Sequence, residues 1–108
     1  MLPKKNRVDK KVIEKIFKEG RFISSPNFTF KFILGNNSFQ PHISFIAPKN
    51  VAKLAVKRNL LRRRGYSVFK KYIKHTPMGI LGVFIFKKPE ENILKIEHEI
   101  KNILNKIN

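Results

Sequence analysis

An α+β fold, with helices packed on a mixed four-stranded sheet, follows from three features of this 108-residue sequence. The apolar spacing changes period along the chain in the order helix, strand, strand, strand, helix, strand, helix. Phe28, Phe30, Phe32 and Leu34 alternate with Thr29, Lys31 and Ile33, the mark of a strand with one strongly buried face. Late in the chain a strand, a long helix and another strand follow one another, and such a crossover implies a mixed sheet with helices packed on it.

Taken in order, Asp9 is placed to cap a first helix over Lys10–Glu19. Val12, Ile13, Ile16 and Phe17 form its apolar face. Pattern alone puts Phe17 in the core, with a part-exposed position in a cleft as the alternative. Gly20 supplies the stop. Arg21–Ser24 forms a short strand, and Ser25-Pro26-Asn27 turns into the Phe28–Leu34 strand. Gly35-Asn36-Asn37-Ser38 is a hairpin connection. The third strand runs from about Phe39 to Ala47, with Pro41 near its start, where a missing amide donor is tolerated. Pro48-Lys49-Asn50 leads into the long helix, and His75-Thr76-Pro77-Met78-Gly79 breaks the pattern after it. The near-continuous apolar run Ile80–Phe86 suits a strand buried on both faces. Pro89-Glu90-Glu91 opens a last helix, its acids at the positive N-terminal end, and Ile93, Ile96, Ile100, Ile103, Leu104 and Ile107 carry its stripe. No repeat or linker divides the chain, so residues 1–108 are expected to form one domain.

Charge narrows the function. The net charge is +17 and the pI near 10.6. Such a surface attracts phosphate polymers, and release of their condensed counterions favours binding further. All seven acids lie in two end segments: Asp9, Glu14 and Glu19, then Glu90, Glu91, Glu97 and Glu99. Nothing from Gly20 to Pro89 is acidic. There is no cysteine, which excludes disulfides and thiolate metal sites. No apolar run reaches the roughly 18 residues a membrane span needs, and the first residues lack the apolar segment of a signal peptide, so a cytoplasmic protein is expected.

Lys49–Lys74 concentrates the signal, with ten lysines and arginines and no acid. On a helical wheel Leu54, Leu61, Val68, Phe69 and Tyr72 make an apolar arc, while Lys53, Lys57, Arg63, Arg64, Lys71 and Lys74 spread over the other side. Such a helix can rest one face on a sheet and offer the other to phosphates. Arg58 and Arg62 fall inside the apolar arc, and Val56 and Leu60 outside it. Burying two unpaired guanidinium groups would be prohibitive. Either the early turns project beyond the sheet or the buried face changes part-way, for which Gly65 is the natural place. Arginine grips phosphate oxygens in two places and stacks on bases. Asn59 adds an uncharged donor and acceptor, with a local capping role as its alternative.

Ala55-Val56-Lys57-Arg58-Asn59-Leu60-Leu61-Arg62-Arg63 resembles the Arg-Asn-Arg signature helix of the bacterial ribonuclease P protein subunit. Leu2-Pro3-Lys4-Lys5-Asn6-Arg7 with Phe17-Lys18-Glu19-Gly20 resembles that family's opening, and Val83-Phe84-Ile85-Phe86-Lys87-Lys88-Pro89 before a helix is similar to its end. The resemblance implies an α/β sandwich with a left-handed crossover around the basic helix, a rare hand. It implies a partner of the catalytic RNA that removes the 5′ leader of precursor tRNA, with Mg²⁺ held by the RNA and no catalytic or metal-binding residue in the protein. Carried over by position, Arg58, Asn59, Arg62 and Arg63 meet the catalytic RNA, and Lys53, Lys57 and Arg64 add phosphate contacts. Phe17 and Lys31 line a leader cleft between the first helix and the sheet. Neither a membrane nor an obligate protein partner is implied. Leu60, where the family usually has the second arginine of its signature, and Gly65-Tyr66, where it usually continues with a basic residue, depart from the pattern.

Two other classes remain open to the residues. A structural RNA-binding protein, such as a small ribosomal protein, shares the charge but not the Arg-Asn signature. A protein-only nuclease needs clustered acids or histidines, whereas His42, His75 and His98 are scattered over strand, loop and helix.

Overall fold

The computed structural model describes residues 10–34, 41–77 and 79–107. The elements are α1 (Lys10–Glu19), β1 (Arg21–Ser24), β2 (Phe28–Ile33), β3 (His42–Ile46), α2 (Ala55–Phe69), a 3₁₀ segment (Lys70–His75), β4 (Leu81–Phe86) and α3 (Ile93–Ile107). The four strands form one sheet in the order β1-β2-β4-β3. β1 pairs antiparallel with β2, and β2 with β4. β3 and β4, joined through α2, are parallel, so the sheet is mixed.

Alternation along the strands divides the core. Phe28, Phe30 and Phe32 of β2, Ile43 and Phe45 of β3, and Phe84 and Phe86 of β4 are buried on one face, under Leu61, Tyr66, Val68 and Phe69 of α2 and Ile96, Ile100, Ile103 and Leu104 of α3. Aromatic stacking runs through this layer: Phe45 lies over Phe84 at 4.9 Å between ring centroids, and Phe84 over Phe30 at 4.2 Å. Gly82 is required where Phe30 crosses β4, because a Cβ there would collide with the Phe30 ring. α1 packs on β2 and β4 from the opposite face, where Ile16 and Val83 are fully buried.

The turn between β1 and β2 is closed by Ser25 N–H donating to Phe28 O at 2.8 Å, and it is pinned from α3. The Glu99 carboxylate, only 7% exposed, accepts from Ser25 Oγ at 2.6 Å and from Asn27 N at 2.7 Å and Nδ2 at 2.5 Å. A buried carboxylate is tolerable only with donors of this kind around it.

Several boundaries differ from the pattern. β2 ends at Ile33, and Leu34 is exposed. β3 begins at His42, one residue after Pro41. α3 begins at Ile93, not at Pro89-Glu90-Glu91. The cap is Asn92, whose Oδ1 accepts from Leu94 N at 3.0 Å and Lys95 N at 3.2 Å. An Asn side chain meets the orphan amides of a first turn directly, which outweighs the favourable placement of two acids just upstream. The Asp9 cap, the Gly35–Ser38 connection, the Leu2–Arg7 opening, Phe39 and Met78 lie outside the described residues. Among the described residues no helix is long and apolar enough to cross a membrane.

Candidate nucleic-acid interface

Pro48 O accepts from the amides of Val51 at 3.0 Å and Ala52 at 3.1 Å, a turn that brings the chain to Leu54 in extended conformation before α2. Leu54 is 70% exposed, so its place in the apolar arc does not hold. It precedes the first helical residue and lies off the surface that packs. No side chain caps α2 and no acid stands in its first turn, so its positive end adds to the field of its cations.

From Ala55 to Arg64 the helix buries a single residue, Leu61, whereas Gly65, Tyr66, Val68 and Phe69 are all buried. The early turns therefore stand clear of the core and the change falls at Gly65. The cause is close approach rather than a weakened helix. A Cβ on Gly65 would lie 2.5 Å from Cδ2 of Phe45, a ring already fixed against Phe84 and Tyr66. Tyr66 completes the contact: its hydroxyl accepts from the Phe45 amide at 3.1 Å, satisfying a donor on the outer side of edge strand β3. Gly65-Tyr66, one of the two departures from the family's pattern, thus seats the helix on the sheet.

The clear part carries all of the helix's cations: Lys57, Arg58, Arg62, Arg63 and Arg64. Arg58 Nη1 donates to Ala52 O at 3.0 Å and Lys53 O at 2.7 Å, tying the loop to the helix with one corner of its guanidinium. Arg62 Nη1 reaches Asn59 Oδ1 at 3.4 Å. Asn59, Arg63 and Lys53 are exposed. Among the described residues, neither Arg58, Arg62 nor Arg63 pairs with a carboxylate. Lys57 and Arg64 differ. Lys57 Nζ lies 2.5 Å from Glu91 Oε2, and Arg64 donates to the Glu91 carbonyl. The hydrogen bond from Lys57, reinforced by the charges of Lys57 and Arg64, holds the Glu91 carboxyl below the usual carboxylate range. Of the seven predicted residues, five pair with no acid among the described residues and two are turned toward the approach to α3.

The second predicted pair comes together on the α1 face. Phe17 is 45% exposed rather than buried, because Ile16 takes the core position of that turn. Lys31, on the β2 face opposite Phe30 and Phe32, places its ammonium 4.9 Å from the centre of the Phe17 ring. The contacts that Glu91, Glu99 and Tyr66 make do not follow from the sequence pattern. Glu99 had a signal, since it stands three residues after Ile96 beside the apolar stripe. Glu91 had none, its contact being thirty-four residues away.

Solved structures share this fold. The RNase P protein from Thermotoga maritima superposes with a TM-score of 0.84 at 23% identity, covering 94% of this chain and 97% of that one. The Staphylococcus aureus RNase P protein gives 0.81 at 18%, covering 95% of each. At such identities the likeness concerns the fold. A ribonuclease P protein component from Pseudanabaena sp. is 27% identical over 98% of this chain and 94% of its own length. The sequence profile of the ribonuclease P family matches residues 2–108. The chain belongs to the ribonuclease P family. It is thus a protein component of the endoribonuclease that matures tRNA 5′ ends, and it associates with ribonuclease P RNA.

Proposed function

We propose that the clear part of α2 docks on the catalytic RNA while the α1 face of the sheet guides the 5′ leader of precursor tRNA. The observation that carries this is the division of α2 at Gly65: the cations stand on turns that bury almost nothing, where a guanidinium can meet phosphate without first leaving an acid. Arg58, Asn59, Arg62 and Arg63 make the principal contacts, and Lys53 joins them from the loop. Lys57 and Arg64 contribute phosphate contacts by exchanging Glu91 for RNA. Phe17 and Lys31 receive the leader, the ring offering a stacking surface and the ammonium a phosphate partner.

Mg²⁺ and the hydrolytic step belong to the RNA. What supports this division is the engagement of the acids near the sheet. Glu91 holds Lys57, Glu97 accepts from Tyr72 at 3.0 Å, and Glu99 pins the β1–β2 turn.

Reconstitution tests the proposal. The protein mixed with ribonuclease P RNA and precursor tRNA at low Mg²⁺ is expected to raise the cleavage rate above that of RNA alone, by lowering phosphate repulsion between the two RNAs. No gain would overturn the docking of this protein on the catalytic RNA and the leader, and cleavage by protein alone would move the chemistry to the protein.

A further inference from the structure

Phe22, on edge strand β1, is a large apolar side chain that no element of the fold explains: it is 67% exposed. β1 pairs with β2 so that Phe22 stands directly opposite Lys31. Residues facing each other across an antiparallel pair share a side of the sheet, with Cβ atoms about 5 Å apart. Lys31 lies on the α1 side, because its ammonium covers the Phe17 ring. The neighbouring pair checks the assignment: Arg21 stands opposite Phe32, and its guanidinium lies over that ring on the other side, 5.2 Å from the centroid. Phe17, Lys31 and Phe22 therefore form a row on one surface, from α1 across β2 to the edge of the sheet.

Two exposed rings with a cation between them, Phe22 and Lys31 belonging to the stretch from Gly20 to Pro89 that carries no acid, match one class of ligand. Single-stranded RNA alternates flat bases with phosphates, and binding surfaces for it combine stacking rings with cations along the backbone. Granted that the leader lies on the α1 face as proposed above, we infer that Phe22 is a second stacking platform, which holds a leader base other than the one at Phe17. Lys31 receives the phosphate between them. Stacking is indifferent to base identity, so the contribution depends on leader length and not on leader sequence.

The test measures affinity of the reconstituted holoenzyme for precursor tRNAs with leaders lengthened one nucleotide at a time. Phe22→Ala is expected to weaken binding about tenfold for long leaders and leave leaderless tRNA unaffected. Phe22→Tyr is expected to restore it, since the ring rather than its apolar character is used. Thermal unfolding of both variants should match the parent, as the side chain supports no core contact. Unchanged affinity in Phe22→Ala at every leader length, with Phe17→Ala still weakening it, overturns the second platform and keeps the leader cleft. Loss in neither variant overturns both. If Phe22→Ala instead turns a dimer into a monomer without touching leader affinity, the β1 edge is a contact between copies and the inference fails.

Discussion

The two parts of α2 use one continuous helix for opposite ends. Gly65–Phe69 is placed by packing: Phe69 is fully buried against Phe45 and Phe84, and the Tyr66 hydroxyl closes the outer edge of β3. Ala55–Arg64 has Leu61 in the core and otherwise offers cations and exposed apolar side chains, Val56 at 74% exposure among them. The lesson is that a helix need not be amphipathic along its whole length to be both structural and functional. A well-seated C-terminal part can hold out an N-terminal part whose residues are then free to serve a partner. Helical backbone hydrogen bonds transmit that rigidity without requiring side-chain contacts in the projecting turns.

The sharpest way to break the comparison is to damage the seated part. Phe69→Ala removes a fully buried ring and is expected to cost about 3–5 kcal/mol of folding stability, read by urea unfolding. Affinity for RNA, corrected for the folded fraction, should hold. A stability loss under about 1 kcal/mol would mean that this part is not what anchors the helix.

Intermediate effects come from the projecting part, where Arg58 and Arg62 should separate. Arg62→Ala is expected to shift stability by no more than about 0.5 kcal/mol. Its plot of log affinity for ribonuclease P RNA against log salt should become shallower by about one unit. Arg58→Ala should show the same shallower slope and also lose about 1 kcal/mol of stability, because its guanidinium ties Ala52 and Lys53 to the helix. Identical stability in the two variants would make the Arg58 tie inconsequential. Unchanged slopes in both would place the interface elsewhere.

How much of this was legible in advance depended on whether the signal was local. The alternating phenylalanines of β2 and the apolar run of β4 are repeated patterns whose meaning does not depend on a partner, and both gave buried strands. The parallel β3–β4 pairing followed from a crossover long enough to hold a helix. Phe17 misled because Ile16 and Phe17, neighbours in sequence, point about 100° apart around the helix, and Ile16 is the one that faces the sheet. Leu54 misled because a wheel assumes a helix that has not yet begun there. Gly65 was marked as the change of face from its weak helix propensity, but the real reason, the ring of Phe45, lies twenty residues upstream. The cations were plain in the sequence. Which of them Glu91 would claim was not, since nothing local links a residue before α3 to one on α2.

That claim yields the smallest and most discriminating effect. Glu91 titrates below the usual carboxylate range because its ionised form accepts a hydrogen bond from Lys57 and lies near two positive charges. A carboxyl with a lowered folded-state pKa binds its proton more readily when unfolded. Its contribution to stability is therefore present above the ordinary carboxylate pKa and disappears as pH falls through the lowered value. Glu91→Gln should accordingly flatten the acid limb of stability against pH while changing stability near neutrality only slightly, as expected for a partly exposed pair. The same change releases Lys57 and adds one positive charge beside the RNA-facing turns, so affinity for ribonuclease P RNA should rise and its salt dependence steepen. If stability responds but affinity does not, Lys57 belongs to the fold rather than to the interface, and the boundary between the two parts of α2 must be redrawn so that the flank facing α3 is structural along its whole length.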